Sequence, residues 1–564
     1  SSHFFGVRPL FTPVLVLTLF LFHPAHSCTT AHQTPIFKNM ASFTNEQTEL
    51  RALVTAVGAS KDTKSATLAS DALAAACAAA GVQALSGAAL VSQIHDELLT
   101  AKKDKVKREA GVLAVLALVE KMGMQCVGAM MAVVPVVLAL TGDKKGPAVR
   151  ATASKATLAI FDLLPNEAVP QYINQVILAK KTGGLAPLAR PETKCTALEL
   201  LSKAAVKAPR EIESMMTILV PVVSKLMWDV KKSVKEQAED TLGDIATSID
   251  NIDVKPFIPQ LVDAIADPET VPDCVYSLAG TTFVQTVTAS ALSLTVPLLK
   301  RGFNDSKTAI KRKCAVITEN MAKLVKNPIE VAPFMPILAP LLEKGIAVIS
   351  DPECRARFTA ASEVLNRVGQ IGESSAQTLL VSSDMCTALK KAMTANKAMA
   401  SCLEDPVVQF VADVALTLGN ISSNFIKSTW SGALSNLLAP CFATSDPTAS
   451  SKATIDALLV HAISVVGELA AFGETKADCI DENDMTDGRE DICDLQFSLA
   501  YGSKILLNNS RLHLRKGCKY GVISEKSAGK TTMMRAISNG QVEGFPTPAM
   551  CRSIFIENDI QGSQ

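Results

Sequence analysis

Five apolar stretches of this chain share one design: MMAVVPVVLAL, MMTILVPVVSKLMWD, PFIPQLVDAIAD, LSLTVPLLKRGFND and PFMPILAPLLEKGIAVISD. Each carries a proline in its early part, and most reach an Asp, then basic residues, then a second amphipathic stretch. Pro221, Pro259, Pro297 and Pro336 follow one another at steps of 38, 38 and 39 residues. The second halves read KKSVKEQAEDTLGDIATSI, KTAIKRKCAVITENMAKLV and PECRARFTAASEVLNRV, and an earlier pair starts at Pro135 and runs through GPAVRATASKATLAIFDLL. A helix pair cannot bury its apolar face alone, so pairs recurring about every 40 residues must stack into one continuous core. The spacing predicts a HEAT-type α-solenoid over residues 45–372, with an unrelated helical bundle as the alternative. The first helix of each pair is expected to hold its proline in the first turn, where no N–H partner is needed.

The bulk composition agrees with helices. Of the residues 48% are hydrophobic but only 5% aromatic, a balance that suits long helices packed through small side chains. Between residues 375 and 473 the repeat proline disappears. SAQTLLVSSDMCTALKKAMTA, DPVVQFVADVALTLGNIS, IKSTWSGALSNLLAP and KATIDALLVHAISVVGELAAF are four amphipathic segments with short breaks, which predicts a four-helix bundle. His461 falls on the apolar face of the last segment and reads as a satisfied core histidine. Residues 474–491 form an acidic linker. From 492 to 564 the period changes: CDLQFSLAYG alternates, KILLNNSRLHLR reads as strand, turn, strand, and KYGVI and RSIFIEN read as further strands around a helix at TTMMRAIS. This is the start of an α/β domain.

The net charge is zero, so a nucleic-acid partner must be met by local basic patches. The 14 cysteines are scattered singly, without zinc spacing, which suits a reducing compartment and argues against a metal site. PLFTPVLVLTLFLF in residues 9–22 resembles the core of a signal peptide, but the first methionine is Met40, so residues 1–39 are read as upstream translated sequence or a leader. No other stretch reads as membrane-spanning.

GVISEKSAGKTT closes on Gly529, Lys530 and Thr531, the end of a phosphate-binding loop. Such a loop turns backbone N–H groups inward at a strand–helix junction and adds the helix N-terminus. Lys530 would reach the β- and γ-phosphates of ATP, Thr531 would ligate Mg²⁺, and Ser524, Ser527, Ala528, Gly529 and Thr532 complete the candidate cradle. Ser524 stands where the motif has glycine, which would strain the loop if a left-handed φ were needed there. Glu525 adds an anion to the same loop. Tyr501, at a strand end upstream, is placed to stack on adenine or else is a half-buried strand residue.

RGFNDSKTAIKRKCAVITENMAKLVKNPIEVAPF, IADPETVPDCVYSLAGTTFVQTVT and CDLQFSLAYGSKILLNNSRLHLRKGCKYGV, together with GKTTMMRAISNGQVEGFPT, carry a family likeness. From about Glu46 to Gln564 the chain resembles the translation elongation factor 3 family, ABC-type ATPases of fungi, some algae and other protists. The resemblance implies a HEAT solenoid, a four-helix bundle and the start of the first ATP-binding cassette. It also implies cytoplasmic work on the ribosome (rRNA and ribosomal proteins), with ATP-dependent release of deacylated tRNA from the exit site, and elongation factor 1A as a further partner. By the same resemblance Tyr501 is the adenine-stacking residue, and Gly-Pro-Asn-Gly-Cys stands in the family where this chain has Ser524 to Ala528. The ABC signature and the catalytic carboxylates belong to segments not present here, so no catalytic residue is expected in this part, which reads as N-terminal. Lys231, Lys232, Lys235, Lys307, Lys311, Arg312 and Lys313 are the candidate ribosome contacts, or else a solvated helix face. Two rival functions are a non-enzymatic ribosome-bound HEAT scaffold of the kind that regulates stress kinases, and an ABC transporter ATPase; the cassette start argues against the first, and more than 300 residues of solenoid argue against the second.

Overall fold

In a computed structural model the chain divides at residue 46, and every described residue lies in the unit 47–564. The structure describes residues 48–564 apart from 81–84, 86–88, 102–103, 284, 326, 375–379, 400–401, 404–405, 421–424, 443–445, 474–489, 502–503, 525–528, 543, 548–549 and 557–564. The readings made for residues 1–39 and for nearly all of the acidic linker fall outside the described residues.

The second unit is mainly helical. Helices Thr63–Ala80, Lys105–Met122, Pro147–Leu163, Pro191–Lys207, Lys232–Ala246, Val271–Ala279, Thr308–Leu324 and Pro352–Ser374 begin about 40 residues apart. Thr63–Ala80 packs on Lys105–Met122, which packs on Pro147–Leu163; Pro191–Lys207 packs on Lys232–Ala246; Val271–Ala279 packs on Thr308–Leu324, which packs on Pro352–Ser374. Val134–Leu140, Met216–Leu226, Ile258–Ala266, Ala289–Phe303 and Met335–Val348 are the first helices of the pairs. Alanine, valine, leucine and isoleucine from both layers form one core that continues from Leu50 to Ala462, as stacking requires. Pairs approach closely where glycine allows it: a Cβ on Gly345 would collide with the ring of Phe358 in the partner helix.

The prolines divide into two groups, against expectation. Pro135, Pro259 and Pro336 occupy the first turn of their helices. Pro221 and Pro297 lie inside theirs, where each removes an i→i−4 hydrogen bond. Pro221 is exposed and Pro297 half-buried; the carbonyls they leave without an i+4 donor belong to Thr217, half-buried, and Ser293, buried, so the cost is not shed wholly to water.

The turn inside each pair is fixed by the aspartate that closes its first apolar stretch. Asp143 accepts hydrogen bonds from the N–H groups of Lys145 and Gly146, Asp229 from Lys231, Asp305 from Lys307 and Asp351 from Cys354. Cations of the preceding pair close onto two of them. Arg108 donates to Asp143 at 2.8 Å with both side chains only 9% exposed, and Lys194 meets Asp229 at 2.8 Å. Each carboxylate therefore ties two successive repeats together.

Helices Ser382–Ala395, Pro406–Asn420, Lys427–Leu438 and Pro447–Gly473 follow. The first packs on the second and fourth, and the third packs on both of these. The group also rests on the solenoid: Lys427–Leu438 packs against Met124–Met130, and Gln171 donates to Asp413 at 3.0 Å. Trp430 is fully buried there. His461 is not the satisfied core histidine expected: it is half-buried and its Nε2 has no hydrogen-bond partner. Among the described residues the stretch Pro328–Val348 is long and apolar enough to cross a bilayer by length and composition alone. It begins as a 3₁₀ turn, contains Pro333, Pro336 and Pro340, and sends Leu338 and Leu342 into the solenoid core; it is the first helix of a repeat.

The chain then changes to strands. Asp491–Tyr501 and Lys504–Arg515 pair antiparallel, and Thr282–Phe283 of the solenoid adds a short third strand beside Tyr501. The expected turn at Asn508–Asn509 is absent. The register moves from Phe497↔Ser510 to Leu499↔Leu507, so one extra residue is absorbed as a bulge and the strand runs on.

Candidate functional site: the phosphate-loop segment and the cationic edge

The helix at TTMMRAIS forms as Lys530–Ser538 and is capped by Gly529, whose φ of 92° is left-handed. Glycine is required there twice over, because a Cβ would also sit 2.6 Å from Leu506. Phe497, Leu499, Ala536 and Val542, with Leu506, Met533 and Ile537 around them, form the small core that seats the helix on the hairpin. The helix N-terminus and Lys530 are thus brought to one end of the sheet. The Lys530 ammonium is turned back on the loop, donating to the Ser524 carbonyl at 2.8 Å and its hydroxyl at 3.0 Å. Thr531 is exposed and Thr532 half-buried in the first turn.

Two strand expectations are corrected around this loop, and the condition for strain at Ser524 is not met. Ser524 does not have a left-handed φ, since Lys397 is the single non-glycine residue with positive φ among the described residues; no strain attaches to the missing glycine. KYGVI is not a strand. The chain turns at Gly517, the hydroxyl of Tyr520 accepts from the Arg515 N–H at 2.7 Å, and Val522 and Ile523 face solvent at 43% and 96% exposure. A strand of that composition needs neighbours on both edges, and among the described residues none pairs with it. The described part of RSIFIEN, residues 552–556, is likewise not a strand, and no strand among the described residues pairs with it; Ile554 and Ile556 are exposed. Glu525, Ser527 and Ala528 and the side chain of Tyr501 lie outside the described residues; the Tyr501 backbone ends its strand opposite Lys504 and Thr282.

The basic candidates sit where the second helices begin. Lys231 precedes Lys232–Ala246, and Lys307 precedes Thr308–Leu324. They are not alike. Arg312 is bound to Glu353 at 2.7 Å, and the Lys313 ammonium lies 4.6 Å from the centre of the Tyr276 ring. Lys232 pairs along its own helix with Glu236 at 3.3 Å and stays 87% exposed. Lys231, Lys235 and Lys307 are exposed, Lys311 is half-buried, and among the described residues these four make no ion pair. The aspartates below hold the backbone of both turns rigid. The N–H groups of Lys231 and Lys307 are the ones that Asp229 and Asp305 accept from.

Two sequence-family models match this chain. The EF3 N-terminal HEAT repeat covers residues 66–242, and the Elongation factor 3/GNC1 HEAT repeat covers residues 269–378. Among full-length relatives, Elongation factor 3 of Phytophthora infestans is 36% identical over 76% of this chain and 40% of its own length. Elongation factor 3 of Pneumocystis carinii is 34% identical over 82% of this chain and 42% of its own, and that of Candida albicans 38% over 76% and 39%. The chain spans about two fifths of the length of the curated relatives it matches. Stacked helix pairs fill both matched spans, so sequence and fold agree that the chain belongs to the elongation factor 3 family.

Proposed function

We propose that this chain is the ribosome-engaging part of an ATP-dependent translation elongation factor that promotes release of deacylated tRNA from the exit site. The observation that carries the reading is the solenoid itself, matched by two elongation factor 3 HEAT models and edged by turns and helix starts that carry the exposed Lys231, Lys235 and Lys307 and the half-buried Lys311. In this reading the helices of residues 382–473 form the four-helix bundle of the family, and the hairpin with the Lys530–Ser538 helix opens its first ATP-binding cassette. Gly529 supplies the left-handed turn and the helix N-terminus a positive end, which fit an ATP phosphate. Lys530 would leave Ser524 to pair with that phosphate, and Thr531 would offer its hydroxyl to Mg²⁺. The partners are the ribosome and elongation factor 1A, and the site of action is the cytoplasm.

Co-sedimentation with ribosomes over a salt series tests the reading. Binding should weaken steeply with salt, because each phosphate neutralised releases roughly 0.7–0.9 of a counterion. Reversal of Lys231, Lys235, Lys307 and Lys311 to Glu should lower both the affinity and the salt slope; unchanged binding in that variant would refute the cationic edge. A second reading, a non-enzymatic HEAT scaffold, is favoured by one observation, the Lys530 ammonium bound to Ser524 rather than open. Failure of the chain to bind a fluorescent ATP analogue, with ribosome binding intact, would select it.

A further inference from the structure

The chain has two tryptophans, and only one is hidden. Trp430 is 0% exposed, whereas Trp228, at the end of a first helix, is 54% exposed. A ring of this size left in water at a turn marks a contact surface more often than a packing residue. Trp228 lines a groove of about 450 Å³ spanning three successive repeats, with Ile265 and Pro297 as its apolar wall and Lys300, Arg301 and Asn304 as its polar one. Among the described residues no carboxylate lines it, although Asp267 lies within electrostatic reach of Arg301. The Arg301 guanidinium lies 5.6 Å from the indole centre and is itself anchored to the Ala264 carbonyl, so one side of the ring is fixed. The turn that carries Trp228 is fixed too: Asp229 is held by Lys194 and holds the Lys231 N–H. Val230 is 96% exposed beside it, and the exposed Lys231, which makes no ion pair among the described residues, follows at once. An aromatic plane set among cations, on a rigid backbone, is the combination that binds an unstacked base with its flanking phosphates.

We propose that the Trp228 groove is a docking site for single-stranded RNA, in which one unpaired base stacks against the indole while Lys300 and Lys231 take the adjoining phosphates. The proposal rests on the ribosome-binding reading above and narrows it: the partner at this point of the edge is an unpaired RNA segment, not a duplex and not an acidic peptide.

Only Trp228 of the two tryptophans is reachable by a solute, so its emission reports on the groove directly. The full chain is titrated with a short single-stranded RNA of mixed sequence, with the same sequence as a duplex, and with polyglutamate. Saturable quenching by the single strand alone is expected. Trp228→Ala should weaken binding of labelled RNA about ten- to a hundredfold, and Trp228→Phe, which keeps a stacking plane, should retain most of the affinity. Lys300→Glu should reduce the salt slope by about 0.7. Because Trp228 and Lys300 are both exposed, their variants should fold, which circular dichroism checks. RNA binding with unchanged emission, wild-type affinity in Trp228→Ala, or equal quenching by polyglutamate would each overturn the site. Ribosome co-sedimentation run alongside separates the two ideas: binding to ribosomes that survives Trp228→Ala, with no quenching by RNA, removes this site and leaves the ribosome reading standing; absence of wild-type co-sedimentation removes the ribosome reading itself.

Discussion

Replacing Asp143 by alanine removes three contacts at once: the Arg108 guanidinium at 2.8 Å and the N–H groups of Lys145 and Gly146, each at 2.9 Å. Arg108 keeps its bond to the Ala101 carbonyl, but its charge stays in a site where it is only 9% exposed. Removing one partner of a buried pair typically costs about 3–5 kcal/mol, and the interactions Arg108 keeps hold this case toward the lower end of that range. The lost turn acceptor falls within that range rather than adding a full increment, since the turn can use water. The contrast within the same molecule is Lys232–Glu236, where 87% and 62% exposure limits the pair to a few tenths of a kcal/mol. Asp143→Ala should therefore destabilise roughly ten times more than Lys232→Ala. A solenoid loses stability locally, so hydrogen exchange is the assay. Protection should fall in Lys105–Met122 and Pro147–Leu163 and remain in Thr308–Leu324 and Pro352–Ser374. The double variant Asp143→Leu with Arg108→Met should recover most of the loss, because an apolar pair leaves no buried charge. Equal effects of Asp143→Ala and Lys232→Ala, or no recovery in the double variant, would refute the account. The pH dependence has a fixed sign. Burial acts to raise the Asp143 carboxyl, but the Lys145 N–H, Arg108 and the Gly146 N–H outweigh it and leave it below the usual range. Asp229 is lowered chiefly by Lys194, then by the Lys231 N–H. A carboxyl depressed in the folded state contributes stability above its unfolded value, near 4, and that contribution is lost as pH falls through the folded value. Acid should loosen these turns below about pH 4, and Asp143→Ala should remove part of that dependence.

Gly345→Ala should cost about 1–3 kcal/mol through collision with Phe358, and Phe358→Leu in the same background should relieve it in urea denaturation. Ser524→Gly and Ser524→Ala should change affinity for a fluorescent ATP analogue equally, because Ser524 has no left-handed φ to relax; a clear advantage of Gly over Ala would show that the bound loop needs it. Burial pushes the Cys77 thiol up to about 11 and Cys126 to about 12, so iodoacetamide at neutral pH should label neither until the solenoid is unfolded, as peptide mass mapping would show.

What the sequence disclosed and what it hid divide along one physical line. The solenoid was legible because its period is written in apolar side chains that must all face one core, and eight long helices come out near the expected spacing. Helix Lys530–Ser538 was legible for the same local reason, a glycine cap followed by helix formers. The errors came where a residue's role depends on a distant neighbour. Pro221 and Pro297 could not be told from first-turn prolines, because all of them stand early in an apolar stretch and the residue at which each helix starts is set by its packing. Asn508–Asn509 looks like a turn until a partner strand absorbs the extra residue. KYGVI has the composition of a buried strand, yet composition cannot supply the flanking strands that would bury Val522 and Ile523. The basic runs show the limit most clearly. In sequence SKTAIKRKC is four equivalent cations; in the fold Arg312 is held by Glu353 and Lys313 lies over Tyr276, while Lys307 is exposed and Lys311 half-buried, neither in an ion pair among the described residues. A charge run thus identifies an edge, but only its neighbours decide which of its cations can still meet a phosphate. The variant series that reverses the open lysines and spares the paired ones tests that distinction, because reversing Arg312 or Lys313 would also break a contact inside the fold.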